Sequence, residues 1–188
     1  MLKSITVFCG SISECPKPYH DMADRVGRVI ARQGRKLVYG SGCRGLMGEV
    51  AKGAQAEGGY VIGINAQRFA GSKYALDVDE YIVMPTMQDR KVELIRLGEG
   101  CIALPGGIGT LDEITEIFSL AQLGIADKPF GILNMDHFFD GFLMQVERAH
   151  RDGFLREKDW KRLHVAEDIE TLLQMLDEDA AARQEAEQ

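Results

Sequence analysis

The stretch Pro105-Gly106-Gly107-Ile108-Gly109-Thr110-Leu111-Asp112-Glu113 follows the apolar run Cys101-Ile102-Ala103-Leu104 and leads into a helical pattern. A buried strand, a glycine turn and a helix start in immediate succession are the parts of a parallel α/β sheet. Gly106, Gly107 and Gly109 free the backbone to turn sharply and let a ligand come close. With Thr110 opening the helix, the free N–H groups of its first turn point into the loop and form an anion cradle, of which phosphate is the usual occupant. Glu113 has two readings that spacing leaves open. Three residues past Thr110 it fits a capping box, bonding back to the Thr110 N–H, and the same position suits a catalytic carboxylate beside the cradle. A Walker A loop is excluded because no lysine ends the motif, and a dinucleotide fingerprint because Asp112 stands where its third glycine would be. A monophosphate is the expected guest.

The rest of the chain alternates strand and helix patterns. Strands are expected at residues 3–9, 36–39, 60–64, 80–83, 101–104 and 130–134. Helices are expected at 18–33, from Gly45 to about Glu57, at 86–98, from Thr110 to about Leu123, at 136–150 and from Asp168 to about Ala182. Residues 65–78 follow neither period and read as a loop, and 183–188 as a frayed tail. The pattern predicts a doubly wound, Rossmann-like parallel sheet with helices on both faces, in a single domain over residues 1–182. In such folds ligands sit beyond the carboxyl ends of the strands, where the strand order reverses. Three glycine turns, Gly10-Ser11, Gly40 to Gly45 and Gly106 to Thr110, fall at strand ends and are expected to line one crevice.

Composition narrows the guests. At 188 residues the chain can bury a proper core, and its net charge of −7 argues against a broad nucleic-acid surface. Cys9, Cys15, Cys43 and Cys101 are scattered, without Cys-x-x-Cys or a histidine cluster, so neither a metal site nor a disulfide framework is expected. No signal-peptide pattern opens the sequence and no apolar run approaches the ~20 residues of a membrane span; a cytoplasmic location is the expectation.

Other residues carry weaker signals. Gly40-x-Gly42-x-x-Gly45 matches dinucleotide spacing, but Asn65 stands at the end of the next strand where an acid for a ribose hydroxyl is expected; tight turns and close helix packing explain much of the motif, with Gly42 kept as a nucleotide-lining candidate. Asp89-Arg90-Lys91 lies near a helix start, where cations are unfavourable unless an anion faces them. Arg90 is suited to a bidentate grip on phosphate or carboxylate. Asp112 is explained by the helix dipole, Glu116 less so, and Glu116 shares a face with Glu113. Met84, Met87, Met135 and Met144 read as core or interface residues, Met87 also as a candidate for substrate contact. The four histidines read as surface or local structural residues.

Together Phe8-Cys9-Gly10-Ser11, Val38-Tyr39-Gly40-Ser41-Gly42 with Gly45-Leu46-Met47-Gly48, Arg90-Lys91, and Pro105-Gly106-Gly107-x-Gly109-Thr110-x-x-Glu113 resemble the LOG family of cytokinin riboside 5′-monophosphate phosphoribohydrolases, also labelled lysine decarboxylase-like. Gln122-Leu123-Gly124 and Lys128-Pro129 before Gly131-Ile132-Leu133-Asn134 extend the likeness over roughly residues 5–155. The resemblance implies hydrolysis of the N-glycosidic bond of a nucleoside 5′-monophosphate, AMP being the simplest, without metal or organic cofactor, in a homodimer or larger homo-oligomer. It implies Arg90 and Glu113 as the catalytic pair, with Gly10, Ser11, Gly42, Met87, Lys91, Gly106, Gly107, Gly109, Thr110 and Glu116 around the substrate. Departures gather at the base end: Gln88-Asp89 replaces the family's His-Glu, Ser41 a glycine, Asn65 lies where a proline is usual, and Phe118-Ser119-Leu120 replaces a stretch that often holds Thr and Trp. A non-catalytic nucleotide or molybdenum-cofactor carrier is the alternative. A pyridoxal-dependent decarboxylase is not implied, because no cofactor-bearing lysine is matched.

Overall fold

The computed structural model describes residues 1–71 and 77–186, so part of the loop expected at 65–78 and the end of the tail lie outside the described residues. Seven parallel strands form one sheet: β1 (Ser4–Phe8), β2 (Lys36–Tyr39), β3 (Val61–Ala66), β4 (Glu80–Met84), β5 (Gly100–Ala103), β6 (Phe130–Leu133) and β7 (Leu163–Ala166). The spatial order is β4-β3-β2-β1-β5-β6-β7. The chain winds outward from β1 in one direction through β4 and in the other through β7, so the order reverses between β1 and β5. The glycine turns after β1 and β5 are therefore neighbours at the switch point.

The helices are α1 (Lys17–Arg32), α2 (Gly45–Ala56), α3 (Met87–Leu97), α4 (Ile108–Gln122), α5 (Asp140–Arg151), α6 (Glu157–Trp160) and α7 (Ile169–Ala186). Side-chain alternation along the central strands feeds two cores. Ile5, Val7, Leu37, Tyr39, Ile102 and Leu104 pack with α1, α2 and α7 on one face. Phe8, Val38, Cys101 and Ala103 pack with α3, α4 and α5 on the other. Strands buried on both faces explain why the central segments read as continuous apolar runs.

Some expectations shift. The helix expected from residue 136 begins at Asp140, because Asp136 and His137 take left-handed backbone angles (φ 52° and 57°) in a short 3-10 turn. The tail expected to fray from 183 is helical through Ala186, with Arg183 paired to Asp179 and Asp127. The edge strand β7 and the short α6 escape the periodicity reading: β7 is four residues long and only partly buried, so it shows no clean alternation.

The last helix is tied to the entries of β1 and β2 through Asp177, which is half-buried. Arg35, 3% exposed, meets Asp177 at 2.7 Å, and Asp177 also accepts the Leu2 N–H at 2.8 Å. These donors hold the Asp177 carboxyl below its ordinary range against the opposing effect of burial. Removing one partner strands the other charge. Asp177→Ala is expected to cost about 2–3 kcal/mol in a urea titration, and a loss below about 0.5 kcal/mol would show that α7 docks by apolar packing alone.

Candidate active site

Helix α3 brings Arg90 to the strand ends. A capping box fixes its start, with the Thr86 hydroxyl accepting the Asp89 N–H at 3.1 Å and the Asp89 carboxylate accepting the Thr86 N–H at 3.2 Å. At its other end Lys128 donates to the carbonyls of Ile95, Arg96 and Gly98 at 2.6–2.8 Å. Arg90 is 7% exposed. Its Nε donates to Ile64 O (3.0 Å), Nη2 to Gly40 O (3.1 Å) and Nη1 to Glu113 Oε1 (3.3 Å). The main chain at the ends of β2 and β3 thus seats the guanidinium, and glycine at 40 makes the room: a Cβ there would lie 2.0 Å from Arg90 Nη2.

Helix α4 supplies the partner. It starts at Ile108 with Gly107 as its cap residue, two residues before the expected start. Thr110 is therefore inside the first turn and buried. Its N–H is taken by Gly107 O at 3.1 Å, and that of Leu111 by the same oxygen at 3.2 Å. The Thr110–Glu113 capping box does not form; the Glu113 carboxylate turns to Arg90 instead. Among the described residues the N–H groups of Ile108 and Gly109 are left without a main-chain acceptor, which narrows the anion cradle to the very start of the helix.

The glycines of the cradle are there for space. None of Gly106, Gly107 and Gly109 has a left-handed φ. A Cβ on Gly106 would meet Thr110 Oγ1 at 2.1 Å and Gly10 N at 2.8 Å, whereas on Gly107 or Gly109 it would meet nothing within 4 Å. Gly106 lets the β1 and β5 turns lie back to back, joined by Gly10 N–H to Pro105 O at 3.1 Å, and the other two leave the mouth bare.

These groups share a cavity of about 810 Å³ at the switch point. Gly10, Ser11, Gly42, Met87, Arg90, Lys91, Gly106, Gly107, Gly109, Thr110 and Glu113 all line it, so the three glycine turns do converge. Glu116 does not line it: its carboxylate lies 2.6 Å from Lys91 Nζ. Lys91 also meets Asp112 at 3.0 Å. Burial works against the Lys91 charge, but these two acids outweigh it and hold the ammonium above its ordinary value. Burial pushes the Glu113 carboxyl up to about 7, although Arg90 beside it pulls the other way. The Cys9 thiol, buried next to it, is raised well above its ordinary value by burial and then by Glu113.

Several of the residues that depart from the family pattern lie elsewhere. Asn65 bonds the Tyr81 hydroxyl (3.2 Å) and its own neighbour's N–H and is not among the lining residues. Phe118 packs on Phe130 in the core beneath α4, 5.2 Å between ring centres. Ser41, in place of the glycine the resemblance leads one to expect, is buried at φ 62° with an unpartnered hydroxyl. The carbonyl seat of Arg90 and the cavity-lining role of Ile12, Tyr19, Met47, Phe69 and Phe138 carry no local signal in the sequence. Only the Thr86-x-x-Asp89 capping pattern was open to view.

A parallel α/β sheet with its glycine turns, a helix start and a buried Arg–Glu pair around a cavity at the switch point defines a Rossmann-like protein of the nucleotide-binding class. Residues 47–176 match the family model described as "possible lysine decarboxylase". The chain is 38% identical over 177 residues to the probable cytokinin riboside 5′-monophosphate phosphoribohydrolase LOGL9 of Oryza sativa subsp. japonica, covering 94% of this chain and 78% of the rice protein. It is 37% identical over 170 residues to the cytokinin riboside 5′-monophosphate phosphoribohydrolase of Rhodococcoides fascians, covering 89% and 86% of the two chains. The chain belongs to this family, the LOG family. Among solved structures it is similar to the molybdenum cofactor binding protein of Rippkaea orientalis, with a TM-score of 0.71 at 23% identity over 95% of this chain and 97% of that one, a likeness of fold.

The seat of Arg90 can be tested without touching a charge. Gly40→Ala is expected to expel the guanidinium and to lower the unfolding free energy by about 1–3 kcal/mol with the circular dichroism spectrum retained. Unchanged stability would mean that the carbonyl seat contributes little.

Proposed function

We propose that this chain hydrolyses the N-glycosidic bond of a nucleoside 5′-monophosphate, AMP or a cytokinin riboside monophosphate, releasing free base and ribose 5-phosphate. The observation that carries the reading is the buried Arg90–Glu113 pair lining the cavity beside the free amides of the α4 start. The names of the relatives support the same chemistry.

In this mechanism the 5′-phosphate rests on the N–H groups of Ile108 and Gly109, with the Thr110 hydroxyl and Ser11 close by. The sugar then lies along the first turns of α4, where Glu113 follows about 6–8 Å further on at 1.5 Å per residue. As the C1′–N bond breaks, its electron pair leaves with the base and positive charge spreads over the ribose ring. The Glu113 carboxylate stabilises that charge and orients the water whose oxygen bonds to C1′; the protons of that water are shared between the ribose hydroxyl and the departing base. Arg90 uses three of its five N–H groups on Ile64, Gly40 and Glu113. It fixes the carboxylate and keeps the remaining donors for substrate oxygens. Lys91, tied to Asp112 and Glu116, contributes its field from the cavity wall.

AMP nucleosidase activity is part of the proposal. So is a homodimer, supported by exposed apolar side chains at Val92 on α3, Ile108 at the start of α4, and Leu123 and Ile125 after its end. Residues 1–182 are read as one domain. A cytoplasmic location fits four free cysteines; no helix among the described residues is long and apolar enough to cross a membrane. The carrier alternative rests on fold likeness and on the departures at Gln88 and Phe118, of which Phe118 packs in the core.

Glu113→Gln is expected to keep the fold and AMP binding but to lose base release by about 100-fold or more, on the scale of a lost electrostatic stabiliser, followed by chromatography of free adenine; undiminished release would refute the assignment. The pH profile has a definite sign. A carboxylate with a pKa of about 7 is ionised above that value. The kcat/KM is therefore expected to rise tenfold per pH unit below about 7 and level off above it. A profile flat from pH 5 to 8 would exclude Glu113 as the ionising group.

A further inference from the structure

The cavity, about 810 Å³, has lining residues on both sides of the cradle. The strand ends beneath it run in the order β3, β2, β1, β5, β6, a row of about 19 Å at the usual strand spacing. Arg90 sits over β3 and β2, on Ile64 O and Gly40 O, and draws Glu113 to that side. The cradle, at the α4 start above the joined β1 and β5 turns, is in the middle. A nucleoside monophosphate ends in its phosphate, so with its sugar beside Glu113 it reaches only toward β2 and β3, where Met47, Met87 and Phe69 line the wall. The side of the cavity toward β6, where Phe138 lines it, lies beyond that reach.

That side carries two rings. Tyr19, on α1, and Phe138, after β6, both line the cavity and pack edge to face, 5.8 Å between centres at 73°. Phe138 in turn packs on the buried Phe139 at 5.1 Å and 81°. The turn that presents it is held by Asn134, which accepts the Phe139 N–H and donates to Asp140, both at 2.8 Å. It also contains the two left-handed residues Asp136 and His137, the kind of strained backbone that collects at binding sites. Phe138 nevertheless stays 43% exposed.

We propose that the Tyr19–Phe138 lobe is a second subsite, which receives an aromatic ring carried on the far side of the 5′-phosphate. The ligand class is a dinucleotide whose two nucleosides are joined through their 5′-phosphates. Its first half occupies the monophosphate site, its linkage crosses the α4 start, and its second base stacks on the ring pair. This rests on the phosphate position of the proposed function. Such a ligand competes with the monophosphate.

The test is a calorimetric binding titration, which reads the lobe whether or not base is released. The probes are P1,P2-di(adenosine-5′) diphosphate and ADP, which has the second phosphate without the second ring. The dinucleotide is expected to bind about 10-fold or more tightly than ADP, the scale of one base stacked on an aromatic side chain, and to displace AMP. In Tyr19→Ala and in the milder Phe138→Leu that ratio is expected to fall toward one, with ADP binding reporting that each variant is folded. Equal affinities for the two probes in the unsubstituted protein would overturn the subsite, as would an advantage that survives both substitutions. Absence of adenine release from AMP, with the ratio intact, would instead count against the hydrolase reading and leave the subsite standing.

Discussion

The organisation of this protein depends on one buried guanidinium. Arg90 is held by two main-chain carbonyls at the ends of adjacent strands and by one carboxylate from the opposite wall. A buried cation needs partners, and here they come from β2, β3 and α4, elements far apart in sequence. The sheet must be assembled and both flanking helices docked before the charge is satisfied. The capping box at Thr86 and the Lys128 contacts at the other end of α3 serve the same placement. The requirement reaches down to single residues: Gly40 stays bare because the guanidinium fills the space where a side chain would begin.

The same pairing sets the electrostatics of the cavity. Glu113 is desolvated enough for its carboxyl to rise to about 7, and the facing cation keeps it from rising further. A carboxylate in that state is a stronger stabiliser of positive charge than one in water, because little solvent screens it. Next to it the first turn of α4 offers unpaired amides of opposite sign preference. Anion binding and cation stabilisation are thereby separated by about one to two helical turns on a single element, which is the spacing between the phosphate and the anomeric carbon of a nucleotide that the proposed reaction needs.

Much of the fold was legible in the sequence, and for identifiable reasons. The central strands are buried on both faces, and Cys101-Ile102-Ala103-Leu104 shows it directly as an unbroken apolar run before a glycine turn. The convergence of Gly10-Ser11, Gly40 to Gly45 and Gly106 to Thr110 followed from the rule for strand ends, and the cavity lining agrees. What stayed hidden depends on three-dimensional neighbours. Thr110 and Glu113 have the spacing of a capping box, but an acid that can reach a buried arginine gains more there than at a helix cap. The glycines of the cradle look like turn residues, whereas Gly106 answers to the approach of Thr110 and Gly10. Glu116 resembles a site residue by its helical face, and Lys91 takes it. The ring pair of Tyr19 and Phe138 is assembled from segments about 120 positions apart, with no local pattern to announce it.

Burial poises the Glu113 carboxyl against Arg90, and a carbon-13 NMR titration of that single carboxyl reads the balance. An apparent pKa of about 7 is expected, moving upward in Arg90→Gln, where the opposing cation is gone. A value near the ordinary 4.5 in both proteins would contradict it.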